Sequence, residues 1–189
     1  MNTGICGIGG RMGAAILRIV VEKGHTLSAA FDADNSPLIS KNAKEFVNSP
    51  LADCRISGID TEALKKSDAI IDFSTPAATM KLVEMLADIK KPLVIGTTGF
   101  TDEQNGKIKK AATAFPVILS PNMSLGVNLL FKLTEIASKA LTTDYDVEIF
   151  EAHHRFKKDA PSGTAKRLLE EVKKNMKGLS KAADINGRE

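Results

Sequence analysis

Tryptophan is absent from this chain, tyrosine occurs once, and 189 residues carry two cysteines and three histidines. Cys6 and Cys54 show neither a CxxC pair nor a metal-ligand spacing. Cys6 falls in a strand-like apolar run, where a small buried hydrophobe is the expected role. No stretch reaches the ~20 apolar residues of a membrane span, and the first residues read as a strand rather than as a charged segment followed by an apolar one. No long basic run exists either. The net charge is only +3, and lysine and arginine are scattered without interleaved aromatics, which argues against nucleic acid. What remains is a chain that is 43% apolar, rich enough for a packed core and too hydrophobic for disorder. Its length suits one full domain and part of another. The expectation is a soluble cytoplasmic protein with neither a membrane nor a nucleic-acid partner.

Short apolar runs alternate with helical stretches. Thr3–Gly9 reads as a strand, and Met12, Ile16, Ile19 and Val20 then recur at helical spacing, with Gly24 as a stop. Further strands are expected at Thr26–Phe31, Ala69–Phe73, Pro92–Gly96 and Pro116–Ser120. Residues 33–60 read as one short helix and a weak strand. Thr75-Pro76 reads as a helix cap with proline in the first helical position, and Thr101–Gln104 as a capping box. Strands alternating with helices, and apolar on both faces, imply an α/β, doubly wound parallel sheet of Rossmann type. The style changes near Asn122. A helix over Leu125–Ala140 leads to "DVEIFEA" (Asp146–Ala152), which alternates like a strand with one wet face. Ser162 then caps a last helix running to about Met176, with Gly178 beyond it.

"GICGIGGRMG" (Gly4–Gly13) joins the first strand to the first helix. Glycines at 7, 10 and 13 depart from G-x-G-x-x-G, which Gly9 partly restores. Glycine lets backbone amides approach a pyrophosphate, and a helix N-terminus adds partial positive charge. The competing reading is a tight strand–helix turn. Asp32 ends the second strand, where an acid accepts hydrogen bonds from the adenosine ribose hydroxyls; alone it would be an ordinary strand-end aspartate. With Ala33 beside it, this favours NADH, although Arg11 offers a guanidinium to the 2′-phosphate of NADPH. Gly96, Thr97 and Thr98 follow a strand at its ligand-binding end, as does Asn122. Thr75 and Pro76 read as cap chemistry before ligand contact.

"EAHHRFKKDAPSGTA" (Glu151–Ala165) concentrates titratable groups ahead of a turn. On an extended backbone His153 and His154 point to opposite sides. Histidine titrates near neutrality and serves as a general acid, and Lys157 holds an anion or gives a proton. Ser162, Gly163 and Thr164 open a helix suited to a carboxylate. The plain alternative is a solvated basic loop. Metal is not expected, because adjacent histidines do not converge and no cysteines or paired acids complete a site.

"GGRMG", "DFSTP", "VIGTTGF" and above all "EAHHRFKKDAPSGTA" resemble the 4-hydroxy-tetrahydrodipicolinate reductase (dihydrodipicolinate reductase) family of diaminopimelate and lysine biosynthesis. The resemblance runs along the whole chain. It implies NAD(P)H-dependent reduction of a cyclic unsaturated dicarboxylate. It further implies that Gly7, Ile8, Gly9, Gly10, Arg11 and Met12 hold the pyrophosphate and Asp32 the adenosine ribose. Gly96, Thr97 and Thr98, with Ser120, Pro121, Asn122 and Met123, would complete the nicotinamide side. His153 would be the proton donor and acceptor, Lys157 a second proton donor, His154 a substrate contact, and Gly163 with Thr164 a carboxylate clamp. Residues 1–122 would form the dinucleotide-binding domain, and 123–189 the first part of a substrate-binding and oligomerisation domain. The family continues past "NGRE" with further strands that mediate a homotetramer, so this second α+β domain is expected to be incomplete and "DVEIFEA" to lack strand partners. Two functional readings follow, a reductase and a non-catalytic NAD-binding fragment. An amino-acid dehydrogenase on the same nucleotide fold fits the His-His-Arg-x-Lys cluster poorly.

Overall fold

The computed structural model describes residues 1–141, 145–153, 155, 160–176, 178 and 179. They form two compact units, Met1–Pro121 and the chain from Asn122 onward.

The first unit is built on six parallel strands: β1 (Asn2–Cys6), β2 (Thr26–Phe31), β3 (Ile56–Ser57), β4 (Ala69–Asp72), β5 (Leu93–Ile95) and β6 (Val117–Leu119). Their order across the sheet is β3-β2-β1-β4-β5-β6. The order reverses direction between β1 and β4, and in such sheets ligands bind outside the carboxyl ends of the strands at that switch. Between the strands run α1 (Arg11–Glu22), α2 (Lys44–Val47), α3 (Thr61–Lys66), α4 (Pro76–Ile89) and α5 (Asp102–Ala111). The strands read as continuous apolar runs because both faces are covered. Ile5, Leu17, Val20, Leu27, Ala30 and Ile56 form one buried layer; Cys6, Phe31, Ile70, Leu82, Leu86, Leu93 and Ile95 form the other. A register shift lets Thr3 pair with Leu27 and Gly4 with Ala29, so Ser28 is an extra residue on β2. That bulge puts Leu27 and Ala30 in one layer and Ala29 with Phe31 in the other.

The helix ends follow the local chemistry. Lys23 closes α1, and Gly24 leaves it at φ +71°, the left-handed turn that glycine allows. Thr75 accepts from Ala78 N–H at the head of α4, with Pro76 in the first position. Thr101 and Gln104 make a reciprocal capping box on α5. Residues 33–60 hold α2, a 3₁₀ turn at Pro50–Ala52, and β3. Helix α3 was not expected from the sequence. It is capped by Asp60, which accepts from Glu62 and Ala63 N–H, and it buries only Leu64.

The second unit contains α6 (Leu125–Ala140), capped by Ser124, and α7 (Gly163–Asn175), capped by Ser162. The two helices pack together, with Ser138, Ala165, Val172 and Met176 buried. The expected strand at Asp146–Ala152 does not form: residues 146–152 pair with no strand among the described residues. Alternation supplies a strand's two faces but not a ladder partner. No helix among the described residues is long and apolar enough to cross a membrane.

Candidate functional site

The loop from β1 into α1 is shaped by what glycine lacks. Gly7 sits at φ +79°, and a Cβ there would lie 2.3 Å from the Phe73 carbonyl oxygen. A Cβ on Gly13 would lie 2.1 Å from the Gly7 carbonyl, so the first turn of α1 packs directly on the loop. The loop is tied back to β2 by Gly7 and Ile8 N–H, which donate to the Phe31 carbonyl at 2.9 and 3.1 Å. Gly10 is the N-cap of α1 and has no side chain with which to cap it. Every other helix of six residues or more among the described residues has a side-chain cap. The first amides of α1 therefore face the sheet's carboxyl edge with their donors uncapped, as anion binding requires. Ile8 is buried under the loop, while Gly9, Gly10, Arg11 and Met12 are exposed.

Asp32 follows β2 directly, beside this loop. A Cβ on Gly9 would sit 2.3 Å from Asp32 Oδ2, so only glycine leaves the carboxylate this close to the backbone. Ala33 N–H donates to Oδ1 at 2.9 Å and the Ser36 hydroxyl to Oδ2 at 2.9 Å. These two bonds fix the orientation of the acid and leave further acceptor lone pairs. The uncapped helix and the oriented acid fit a dinucleotide's pyrophosphate and ribose.

At the ends of β4 and β5 the structure differs from a row of free hydroxyls. Thr98 is exposed, but Thr97 is buried. Its Oγ1 donates to Asp72 Oδ2 at 3.1 Å and accepts from Ser74 N–H at 2.9 Å. Gly96 lies under the Phe73 ring, which a Cβ would meet at 2.1 Å. Ser120 N–H donates to the Ile95 carbonyl at 3.1 Å, and Pro121 is exposed. Cys6 lies in the core below, its thiol pushed up to about 12 by burial and then by the charge of Asp72, which makes it inert rather than nucleophilic.

In the second unit, Asn122 Oδ1 accepts from Ser124 N–H at 2.9 Å, and Met123 is exposed. His153 Nε2 lies 2.8 Å from Glu151 Oε2, and Glu151 Oε1 accepts from Ser162 N–H at 2.8 Å. Hydrogen bonds from Ser162 and then from His153 hold the Glu151 carboxyl down at about 2. One carboxylate thus joins the half-exposed imidazole to the head of α7. There the Ser162 hydroxyl caps Ala165 N–H at 3.1 Å, beside Gly163 and Thr164 in the first turn. His154 and Lys157 lie outside the described residues. Among the described residues no group of three or more His, Cys, Asp or Glu is placed to hold a metal.

Two groups were missed in the sequence. Asp72 carried a signal, as an acid ending an apolar strand and followed by Ser74 and Thr75. Glu151 stands two residues before His153, a spacing that puts both side chains on one side of extended chain.

Residues 1–123 match the family model described as dihydrodipicolinate reductase, N-terminus, and residues 126–188 match the model of its C-terminus. A 4-hydroxy-tetrahydrodipicolinate reductase of Nitrosomonas europaea is 44% identical over 191 residues, covering 100% of this chain and 70% of that protein. One from Acinetobacter baumannii is 40% identical over 186 residues, covering 98% of this chain and 68% of that protein. Among solved structures, dipicolinate-bound dihydrodipicolinate reductase from Paenisporosarcina sp. TG-14 superposes with a TM-score of 0.71 at 27% identity, over all of this chain and 71% of that one. With both family models matched in order and relatives similar along nearly all of this chain, the chain belongs to the dihydrodipicolinate reductase family of oxidoreductases.

Proposed function

We propose that this chain binds NADH through its first unit and reduces 4-hydroxy-tetrahydrodipicolinate to tetrahydrodipicolinate, a step of diaminopimelate and lysine synthesis. The observation that carries the reading is the uncapped N-terminus of α1 beside the oriented carboxylate of Asp32. The first turn of α1 binds the pyrophosphate through backbone amides. Asp32 accepts from the ribose hydroxyls and disfavours a 2′-phosphate by charge, so NADH is preferred, with Arg11 the group that would admit NADPH. Gly96, Thr98, Ser120 and Pro121 bound the nicotinamide side.

When bound, NADH would supply a hydride to an electron-poor ring carbon conjugated to the substrate's imine, the 4-hydroxyl leaving as water. The chain supplies the proton and the grip on the substrate. His153, oriented by Glu151, is a proton donor, and Lys157 a second. His154 contacts substrate, and the first-turn amides of α7 at Gly163 and Thr164 receive one of its carboxylates.

The alternative is binding without turnover. It is favoured by residues 146–150, which have no ladder partner among the described residues and leave Phe150 exposed. One experiment separates the two. Loss of NADH absorbance on adding the dicarboxylate supports the reductase. Saturable NADH binding with no consumption supports the binding module. Absence of both contradicts the nucleotide reading.

A further inference from the structure

Asp72 is fully buried at the end of β4, and among the described residues no lysine, arginine or histidine is hydrogen-bonded to it. Its carboxylate is met by hydroxyls and by the Cys6 thiol instead. Ser74 Oγ donates to Oδ1, while Thr79 Oγ1 at 2.5 Å and Thr97 Oγ1 at 3.1 Å donate to Oδ2. These three donors come from three places: the β4–α4 loop, the first turn of α4 and the β5–α5 loop. The circuit closes through Ser74 N–H, which donates to Thr97 Oγ1 at 2.9 Å. Each of the three hydroxyls directs its proton to the carboxylate. The Thr97 hydroxyl is thereby spent between Asp72 and Ser74.

The location gives this cluster its meaning. The switch point lies between β1 and β4, so the loops after β4 and β5 belong to the half of the crevice opposite the adenosine end at β2. The geometry points to Asp72 as a positioning residue for the nicotinamide half of the cofactor: through Ser74, Thr79 and Thr97 it locks the β4–α4 and β5–α5 loops in one arrangement. It touches no reacting atom. The inference rests on the NAD(P)H reading above, and it adds a specific division of labour. The adenosine half depends on Asp32 and the α1 turn, and the nicotinamide half depends on Asp72. Asparagine at position 72 would present N–H groups where hydroxyls now donate, so Ser74, Thr79 or Thr97 must turn or lose a partner.

The test compares two probes on the same protein: NADH, and ADP-ribose, which has the adenosine and pyrophosphate but no nicotinamide. For Asp72→Asn the expected result is NADH affinity reduced about tenfold, with ADP-ribose affinity changed less than about twofold. Thr97→Val removes a hydroxyl at nearly constant volume and is the second variant, should Asp72→Asn fold poorly. It should show the same NADH-selective loss, and Thr97→Ser should restore binding. Equal weakening of both probes would mean a general structural role and would overturn the inference. So would unchanged NADH affinity in both Asp72→Asn and Thr97→Val. Failure of the unaltered chain to bind either probe would instead strike the nucleotide reading itself, and this inference with it.

Discussion

The Asp32 carboxylate lies so close to Gly9 that a Cβ on residue 9 would sit 2.3 Å from Oδ2. The acid proposed to read the ribose and the loop proposed to receive the pyrophosphate are therefore one packed unit. Asp32 is held by Ala33 N–H and the Ser36 hydroxyl, and on the proposed reading its carboxylate opposes a 2′-phosphate. NADH should bind at least as tightly as NADPH, and Asp32→Ala should narrow or reverse the difference. Dissociation constants for both cofactors check this. A clear NADPH preference in the unaltered chain would make Arg11 the dominant contact.

Glycines at two positions should respond in opposite directions. Gly13→Ala drives a methyl to within 2.1 Å of the Gly7 carbonyl oxygen. It should destabilise the fold by about 1–3 kcal/mol, the usual cost of overpacking, and weaken NADH binding. Gly106, inside α5, has nothing within 4 Å of a Cβ. Gly106→Ala should stabilise by about 0.5–1 kcal/mol through helix propensity. Thermal unfolding of both variants measures the contrast.

Much of this was legible in the sequence, because it rests on local chemistry. The span Thr26–Phe31, the helix Leu125–Ala140 and the Thr101–Gln104 box could all be read from neighbours a few residues apart. Helix α3 was not, since a single buried residue in six gives periodicity nothing to repeat. The bulge at Ser28 depends on how β1 pairs, and the hydroxyl shell of Asp72 depends on β4 and β5 lying side by side. Alternation at Asp146–Ala152 was legible, but a strand also needs an edge to pair with. The glycine loop, Asp32 and the histidine pair stood out by residue type. Glu151 did not, because its role appears only where Ser162 folds back upon it.

The two thiols should differ in reactivity. Cys6 is buried and its thiol is pushed up to about 12, while Cys54 is half-buried with its thiol raised chiefly by burial. At mildly alkaline pH an aromatic disulfide reagent should titrate Cys54 slowly and leave Cys6 untouched until denaturant is added. Two fast thiols in the native chain would contradict the buried placement of Cys6.

Acid should loosen the link between His153 and α7. The Glu151 carboxyl is held at about 2, below its ordinary 4.5, by Ser162 and then His153. A lowered carboxyl stabilises the fold above its unfolded value and loses that contribution as pH falls through its folded value. The loss should therefore span the interval from about 4.5 down to about 2. The contribution is small because the pair is solvent-exposed. Amide exchange at Ser162 should rise across this interval, and Glu151→Gln should abolish the dependence.

Proton transfer should separate from cofactor binding. In a preparation that turns over, His153→Gln and Lys157→Met should each reduce kcat by about 10²–10⁴-fold with little change in NADH affinity. Thr164→Val should raise KM more than it lowers kcat. Lys158→Met, with no assigned role, should be nearly silent. If it proved as damaging as Lys157→Met, the lysines would be acting as a diffuse positive patch and not through a specific donor.

The most direct test of all is fluorescence titration of the chain with NADH, alongside circular dichroism. Saturable binding, weakened by Gly13→Ala and by Asp32→Ala, is the predicted result. No binding at millimolar NADH by a chain whose dichroism shows an intact fold would contradict the assignment of the β1–α1 loop and Asp32 as a dinucleotide site.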